Sequence, residues 1–101
     1  MKEILETNEY SSWIDNLRDK RAQIKIDVRV RRLAADNPGS FRNLGDCVNE
    51  LKIDYGPGYR VYFTEVKGSI VILLAGGDKS TQTNDIEMAK RLAKQVRSEF
   101  K

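Results

Sequence analysis

The 101-residue chain has no histidine, one cysteine, two prolines and one tryptophan. Without imidazole it has no Ser-His-Asp or Cys-His nucleophilic system, no His-ligated metal, and none of the imidazole acid/base pairing of simple ribonucleases. The lone thiol, Cys47, excludes an intrachain disulfide and a Cys-cluster zinc site, and it suits a reducing compartment. No run approaches the ~18 uninterrupted apolar residues of a membrane span. Acids interrupt the N-terminal MKEILETNEY where a secretory leader would be apolar. These absences describe a small, soluble, cytosolic protein, expected to form one domain over residues 1–101.

Hydrophobic residues make up 40% and charged residues 33%, enough for one core under a heavily solvated surface. Lys and Arg total 18 against 15 Asp and Glu, a formal charge of only +3. Pro38 and Pro57 sit in the Gly-containing turns NPGS and YGPGY and divide the chain into three blocks.

The first block opens with a short apolar patch, Ile4-Leu5, that suits a brief strand. Tyr10, Trp13, Ile14 and Leu17 follow at the spacing of one helix face, which predicts a helix over residues 9–18 with Asn8 as its cap. The next segment carries two patterns. Residues 24–31 alternate as Ile-Lys-Ile-Asp-Val-Arg-Val-Arg, a strand signature in a β-branched run. The same stretch read as a helix aligns Ala22, Ile26, Val30 and Leu33, and leaves Ile24 and Val28 as a second stripe nearly opposite.

Three strands are expected in the second block: Cys47 to Asp54, Tyr59 to Val66 and Ile70 to Ala75. Lys67-Gly68 forms the tight turn of a hairpin. The last of these strands is continuously apolar, as a strand buried on both faces should be. In the third block Ile86, Ala89, Ala93, Val96 and Phe100 repeat at helical spacing, with Asn84 and Glu87 spaced as a capping box. The pattern is that of an α+β domain.

The bases are unevenly distributed. Lys20, Arg21, Lys25, Arg29, Arg31 and Arg32 crowd residues 20–32 with one acid, Asp27. Such a run is either a solvated helix face or a footprint for an anionic partner, nucleic acid or acidic protein. On the strands, Arg60 and Tyr62 are two residues apart and so share a sheet face. Lys52 precedes them on the neighbouring strand, and Tyr55 and Tyr59 flank the turn between. Cations interleaved with aromatics suit phosphates and unstacked bases, although a wet sheet face would read the same way. Gly76-Gly77-Asp78-Lys79-Ser80-Thr81 lacks the spacing of a nucleotide-binding P-loop. Asp46 with Glu50, and Asp78 with Asp85, read as surface or capping acids, and Cys47 as a small packed hydrophobe.

The run Leu44-Gly45-Asp46, Glu50-Leu51-Lys52-Ile53 and Tyr55-Gly56-Pro57-Gly58-Tyr59-Arg60-Val61-Tyr62-Phe63 resembles the RelE/ParE superfamily of toxins. Leu73-Leu74-Ala75-Gly76-Gly77-Asp78-Lys79-Ser80-Thr81-Gln82 extends the match. The branch it resembles is the HigB-like, phage-derived addiction-module killer proteins, and Trp13, Leu17, Asp19 and Ala22 also fit. The resemblance implies two N-terminal helices on a curved, mostly antiparallel four-stranded sheet, in the order β-α-α-β-β-β-α. It therefore implies that Ala22 to Asp36 is helical, with a partner or neighbouring helix over Ile24 and Val28.

The resemblance further implies a toxin neutralised by a cognate antitoxin. Its target is mRNA in the ribosomal A site, cut by a metal-free endoribonuclease (an mRNA interferase) without a cofactor. Relatives that poison DNA gyrase without enzymatic activity supply the alternative, and a non-toxic binding module on the same fold is a third. By position, Arg60 and Lys79 would stabilise phosphate charge, Lys52 would orient or activate the nucleophile, and Tyr62 or Asp78 would handle protons. Tyr55, Tyr59, Lys25, Arg29 and Arg32 would contact RNA. The sequence departs from several relatives in having no Tyr or His near its C-terminus.

Overall fold

The computed structural model describes residues 1–100. Strand β1 (Glu3–Glu6) runs straight into helix α1 (Asn8–Asp15). Thr7, rather than Asn8, caps this helix: its Oγ1 accepts from the Tyr10 amide at 3.1 Å and donates to the Leu74 carbonyl at 2.6 Å. The cap is thus also a tie to the sheet, which a capping rule applied to local sequence does not see.

Helix α2 (Lys20–Ala34) covers the stretch whose alternation suggested a strand. Asp19 caps it by accepting from the amides of Arg21 and Ala22. Lys, Arg, Gln and Ala supply good helix propensity between the β-branched residues. Burial decides the outcome: Ala22, Ile26 and Leu33 are enclosed against Leu51, Ile53, Val61 and Phe63 of the sheet. The second stripe remains in solvent, with Ile24 64% and Val28 49% exposed.

Four further strands follow, not three: β2 (Phe41–Gly45), β3 (Val48–Ile53), β4 (Tyr59–Val66) and β5 (Ile70–Gly77). The sheet therefore has five strands in the order β1-β5-β4-β3-β2, antiparallel except for β1 beside β5. The strand missing from the expected four is β2, an edge strand with only Phe41 and Leu44 as large apolar residues. Most of its side chains face water, so it lacks a period-2 signal. Asp46 and Cys47 form the two-residue turn to β3, both at positive φ (53° and 64°). Cys47 is consequently exposed at a turn, not packed as a small hydrophobe.

Lys67 and Gly68 make the corresponding turn between β4 and β5, with φ of 56° and 69°, the primed geometry that suits strand twist. Strand β5 has buried side chains on both faces, as its apolar run predicted: Val71 and Leu73 point toward α1 and α2, Ile72 and Leu74 toward helix α3. Asp78 caps a single 3-10 turn, Lys79–Thr81, which leads into α3 (Gln82–Ser98). Asn84 and Glu87 therefore lie inside a helix that starts earlier, rather than at its cap. Ala89 and Ala93 bring α3 close to the sheet, with Ile86, Val96 and Phe100 beside them. The result is three layers: α1 and α2 on one face, the sheet, and α3 on the other. No helix among the described residues is long and apolar enough to cross a membrane.

Candidate functional site

The register of β3 and β4 sets Lys52 opposite Arg60 and Glu50 opposite Tyr62, and strand alternation turns these side chains toward α3. Glu50 and Arg60 are almost fully buried, at 5% and 6% exposure. A carboxylate so placed needs compensation. Gln82, at the start of α3, donates Nε2–H to Glu50 Oε2 at 3.0 Å, and Arg42, across on β2, stands 3.2 Å from Oε1. Arg60 Nε lies 3.9 Å from Oε2, close enough for ionic attraction but too far to hydrogen-bond.

The Arg60 guanidinium donates from Nη1 to the Gly58 carbonyl at 2.6 Å, while its buried Nε–H has no hydrogen-bond partner among the described residues. It forms one wall of a shallow cavity of about 390 Å³ lined by Arg42, Glu50, Lys52, Gln82 and the start of β2. Three cations there face one carboxylate. Lys52 is exposed at the rim and lies 3.4 Å from Asp54.

Gly58 joins this cluster to Lys79. It adopts φ +81°, and a Cβ added to it would sit 3.3 Å from Arg60 Nη1 and 4.0 Å from Lys79 Cβ. Arg60 and Lys79, 19 positions apart in the chain, thus approach one another around the β3–β4 turn, with Lys79 exposed.

The two candidate proton carriers fare differently. Tyr62 is enclosed, and its hydroxyl has no partner among the described residues. Burial, reinforced by Glu50 and Asp85, pushes its phenol far above its ordinary range. The side chain fills core instead of facing the cavity. Asp78 is the cap of the 3-10 turn. The Ser80 hydroxyl, against the opposing effect of burial, holds its carboxyl below the usual range, helped by the Ser80 and Thr81 amides and by Arg60. It is a carboxylate at neutral pH, occupied in a local turn.

The residues expected to contact RNA do not share the Arg60 cavity. Lys25 lies over the Tyr55 ring, its Nζ 5.2 Å from the centroid, a cation–π contact on the α2 side. Tyr59 is buried against Trp13, ring centroids 6.4 Å apart, and belongs to the core. Arg29 ties α2 to the sheet by donating to the carbonyls of Lys52, Ser40 and Pro38 at 2.8, 3.0 and 3.3 Å. Arg32 is exposed beside Gly39. Between α2 and the end of β3 a second cavity of about 450 Å³ is lined by Ile24, Lys25, Val28, Arg29 and Tyr55.

Glu50, Gln82 and Arg42 are the members of the cluster that sequence reasoning missed. Glu50, taken as a surface acid, is interior, whereas Asp46 is exposed and pairs with Lys90 at 3.4 Å. Asp85 is half-buried and accepts from the Thr81 hydroxyl. The available signal was strand alternation, which puts Glu50 on the same face as Val48 and one step along from Lys52. The relevance of that face depends on α3 covering it.

Comparison with known proteins places these features in a family. Residues 12–96 match the model of the family described as phage-derived protein Gp49-like (DUF891). The chain is 46% identical over 94 residues to an uncharacterized protein of Haemophilus influenzae, covering 93% of this chain and 95% of the relative. The match runs from α1 almost to the end of α3 and includes every member of the Arg60 cluster. The chain belongs to the phage-derived Gp49-like family, a family related to toxin–antitoxin systems, and this membership implies an antitoxin partner.

Proposed function

We propose that this chain is the toxin of a toxin–antitoxin pair and acts, on a RelE/ParE-like fold, as an endoribonuclease on mRNA in the ribosomal A site. The observation that carries the reading is the Arg60 guanidinium. It is interior, held by Gly58 through Nη1, and lines a cavity with three cations to one carboxylate. Such a group is preorganised for an anion whose charge grows during reaction.

In the reaction the ribose 2′-oxygen bonds to the adjacent phosphorus and the bond from phosphorus to the 5′-oxygen breaks. One proton leaves the 2′-hydroxyl and one is taken up by the 5′-oxygen. Arg60 and Lys79 hold the non-bridging oxygens as negative charge accumulates, and Lys52 orients the nucleophile from the rim. Glu50 acts on Arg60 as a positioning residue. With Tyr62 enclosed and Asp78 ionised and capping a turn, proton transfer runs through water, and rate enhancement rests on cations and alignment.

The antitoxin is read onto α2. Ile24 and Val28, one turn apart and exposed among Lys25, Arg29 and Tyr55, suit an amphipathic helix with acidic flanks. The product of the neighbouring gene should co-purify with the chain.

Primer extension on a reporter mRNA after induced expression tests the nuclease reading, with new 5′ ends expected within codons. Intact transcripts alongside growth arrest would overturn it. The enclosure of Tyr62 favours a second reading, a non-enzymatic inhibitor of DNA gyrase, and a supercoiling assay with purified protein separates the two.

A further inference from the structure

A groove of about 900 Å³ lies away from Arg60, between the C-terminal half of α3 and the β2–β3 and β4–β5 turns. Lys90, Lys94 and Arg97 line it from one helical stripe at i, i+4 and i+7, Arg91 stands at its edge, and Lys67 faces them from the hairpin turn. Asp46 is the one acid in this lining and is engaged by Lys90. Cations late in a helix answer the macrodipole, but that does not explain Lys67, which belongs to a different element. Arg97 is fixed by donating to Thr64 Oγ1 at 3.2 Å and the Glu65 carbonyl at 2.6 Å, making a rigid wall. Lys67, Arg91 and Lys94 are exposed and make no ion pair among the described residues.

Helix α3 connects this groove to the Arg60 cavity. Its first residue, Gln82, bonds Glu50, and Arg97 near its end bonds the far end of β4. From Arg60 to Val66 the strand advances roughly 20 Å at about 3.3 Å per residue. Two cationic sites at opposite ends of one helix match a ligand with repeating negative charge, and a small anion reaches only one of them.

We propose that the α3 groove is a second RNA-contact surface, gripping the sugar-phosphate backbone several nucleotides from the strand held at Arg60. This rests on the nuclease reading for the choice of RNA as the polyanion. Lysine and arginine on long stems around a wide, open groove suit sequence-independent phosphate contact. Val66, Cys47 and Phe100 also give the groove an apolar floor, so an acidic protein segment is the competing occupant, and the cross-link arm of the test separates the two.

The test uses the full chain carrying Arg60→Ala, so that bound RNA stays intact. Its binding to a fluorescein-labelled single-stranded RNA long enough to span both sites is followed by anisotropy across a salt series. Adding Lys67→Gln, Arg91→Gln and Lys94→Gln should weaken binding at least about tenfold near 0.15 M salt and lower the salt slope by about 2. Thermal melting of the same variant reports that the fold is intact, as all three side chains are exposed. Cys47, the single thiol and part of the groove lining, carries a photo-cross-linker that should capture the RNA. Unchanged affinity and slope, or a cross-link to a co-expressed antitoxin in place of RNA, would overturn the proposal. Reporter-mRNA cleavage with Arg60 present is scored separately. Groove-dependent binding without cleavage sinks the nuclease reading alone, and cleavage with groove-independent binding sinks this one.

Discussion

Glu50 Oε2 lies 3.9 Å from Arg60 Nε, two buried opposite charges on adjacent strands that attract without a hydrogen bond between them. The gap leaves Arg60 partly uncommitted, while Gln82 and Arg42 satisfy the carboxylate from α3 and β2. This one pair links the stability of the sheet–α3 layer to the chemistry assigned to the cavity.

Removing Glu50 should therefore harm both. Breaking a buried ion pair on one side leaves an uncompensated charge, at a cost of about 3–5 kcal/mol. Glu50→Ala is expected to lower the urea midpoint accordingly, and Glu50→Gln to lose less because the amide still accepts from Gln82. Equal stability of Glu50→Ala and the parent chain would contradict this account of the network.

Arg60→Lys should keep the fold and lose function. Lysine retains a charge but not the planar fork that reaches Gly58 and the cavity together. Loss of a preorganised donor at a developing oxyanion lowers rate by roughly 10²–10³. Primer extension and growth after induction measure it, and full toxicity in Arg60→Lys would remove the guanidinium from the mechanism.

Tyr62→Phe separates core from catalysis. Its hydroxyl is interior and without a partner among the described residues, so deleting it should leave cleavage unchanged and stabilise the chain by up to about 1 kcal/mol. A large fall in cleavage with stability unchanged would return Tyr62 to the proton pathway.

Alkaline pH should unfold the protein. Tyr10 and Tyr62 both have phenols raised above the ordinary value of 10.0, chiefly by burial. A raised folded pKa means the native state holds the proton more tightly than the unfolded chain. That stability is full below pH 10 and is lost as pH rises above it toward the folded values. Tyrosinate absorbance and circular dichroism should change together, and Tyr62→Phe should flatten the dependence.

Gly76→Ala tests the α1–β5 contact. A Cβ at Gly76 would overlap the six-membered ring of Trp13, which packs between Tyr10 and Tyr59. Overpacking of this kind costs about 1–3 kcal/mol, and a lowered melting temperature with displaced Trp13 fluorescence is expected.

The sequence by itself determined most of the local structure. Periodicity identified α1, α3 and the strands of the β3–β4–β5 meander because each buries a regular apolar stripe or alternates against one. Motif and position likewise pointed to Arg60, Lys52 and Lys79: Lys52 and Arg60 flank YGPGY, whereas Lys79, 19 residues after Arg60, comes near that turn only through the β4–β5 hairpin. Three features were beyond the reach of local pattern. Strand β2 faces water along an edge, so pairing with β3, not its own side chains, makes it a strand. Residues 24–31 fit two periods, so their own pattern left helix and strand open; the family resemblance implied the helix that is found, and the apolar face of the sheet beneath them is what selects it. Glu50 is an ordinary strand glutamate until α3 closes over it; burial then makes its charge costly, draws in Gln82 and Arg42, and turns a surface acid into the anchor of the site. Local pattern reports what a segment can form, whereas burial and charge compensation depend on which distant segments arrive, and only the tertiary structure decides that.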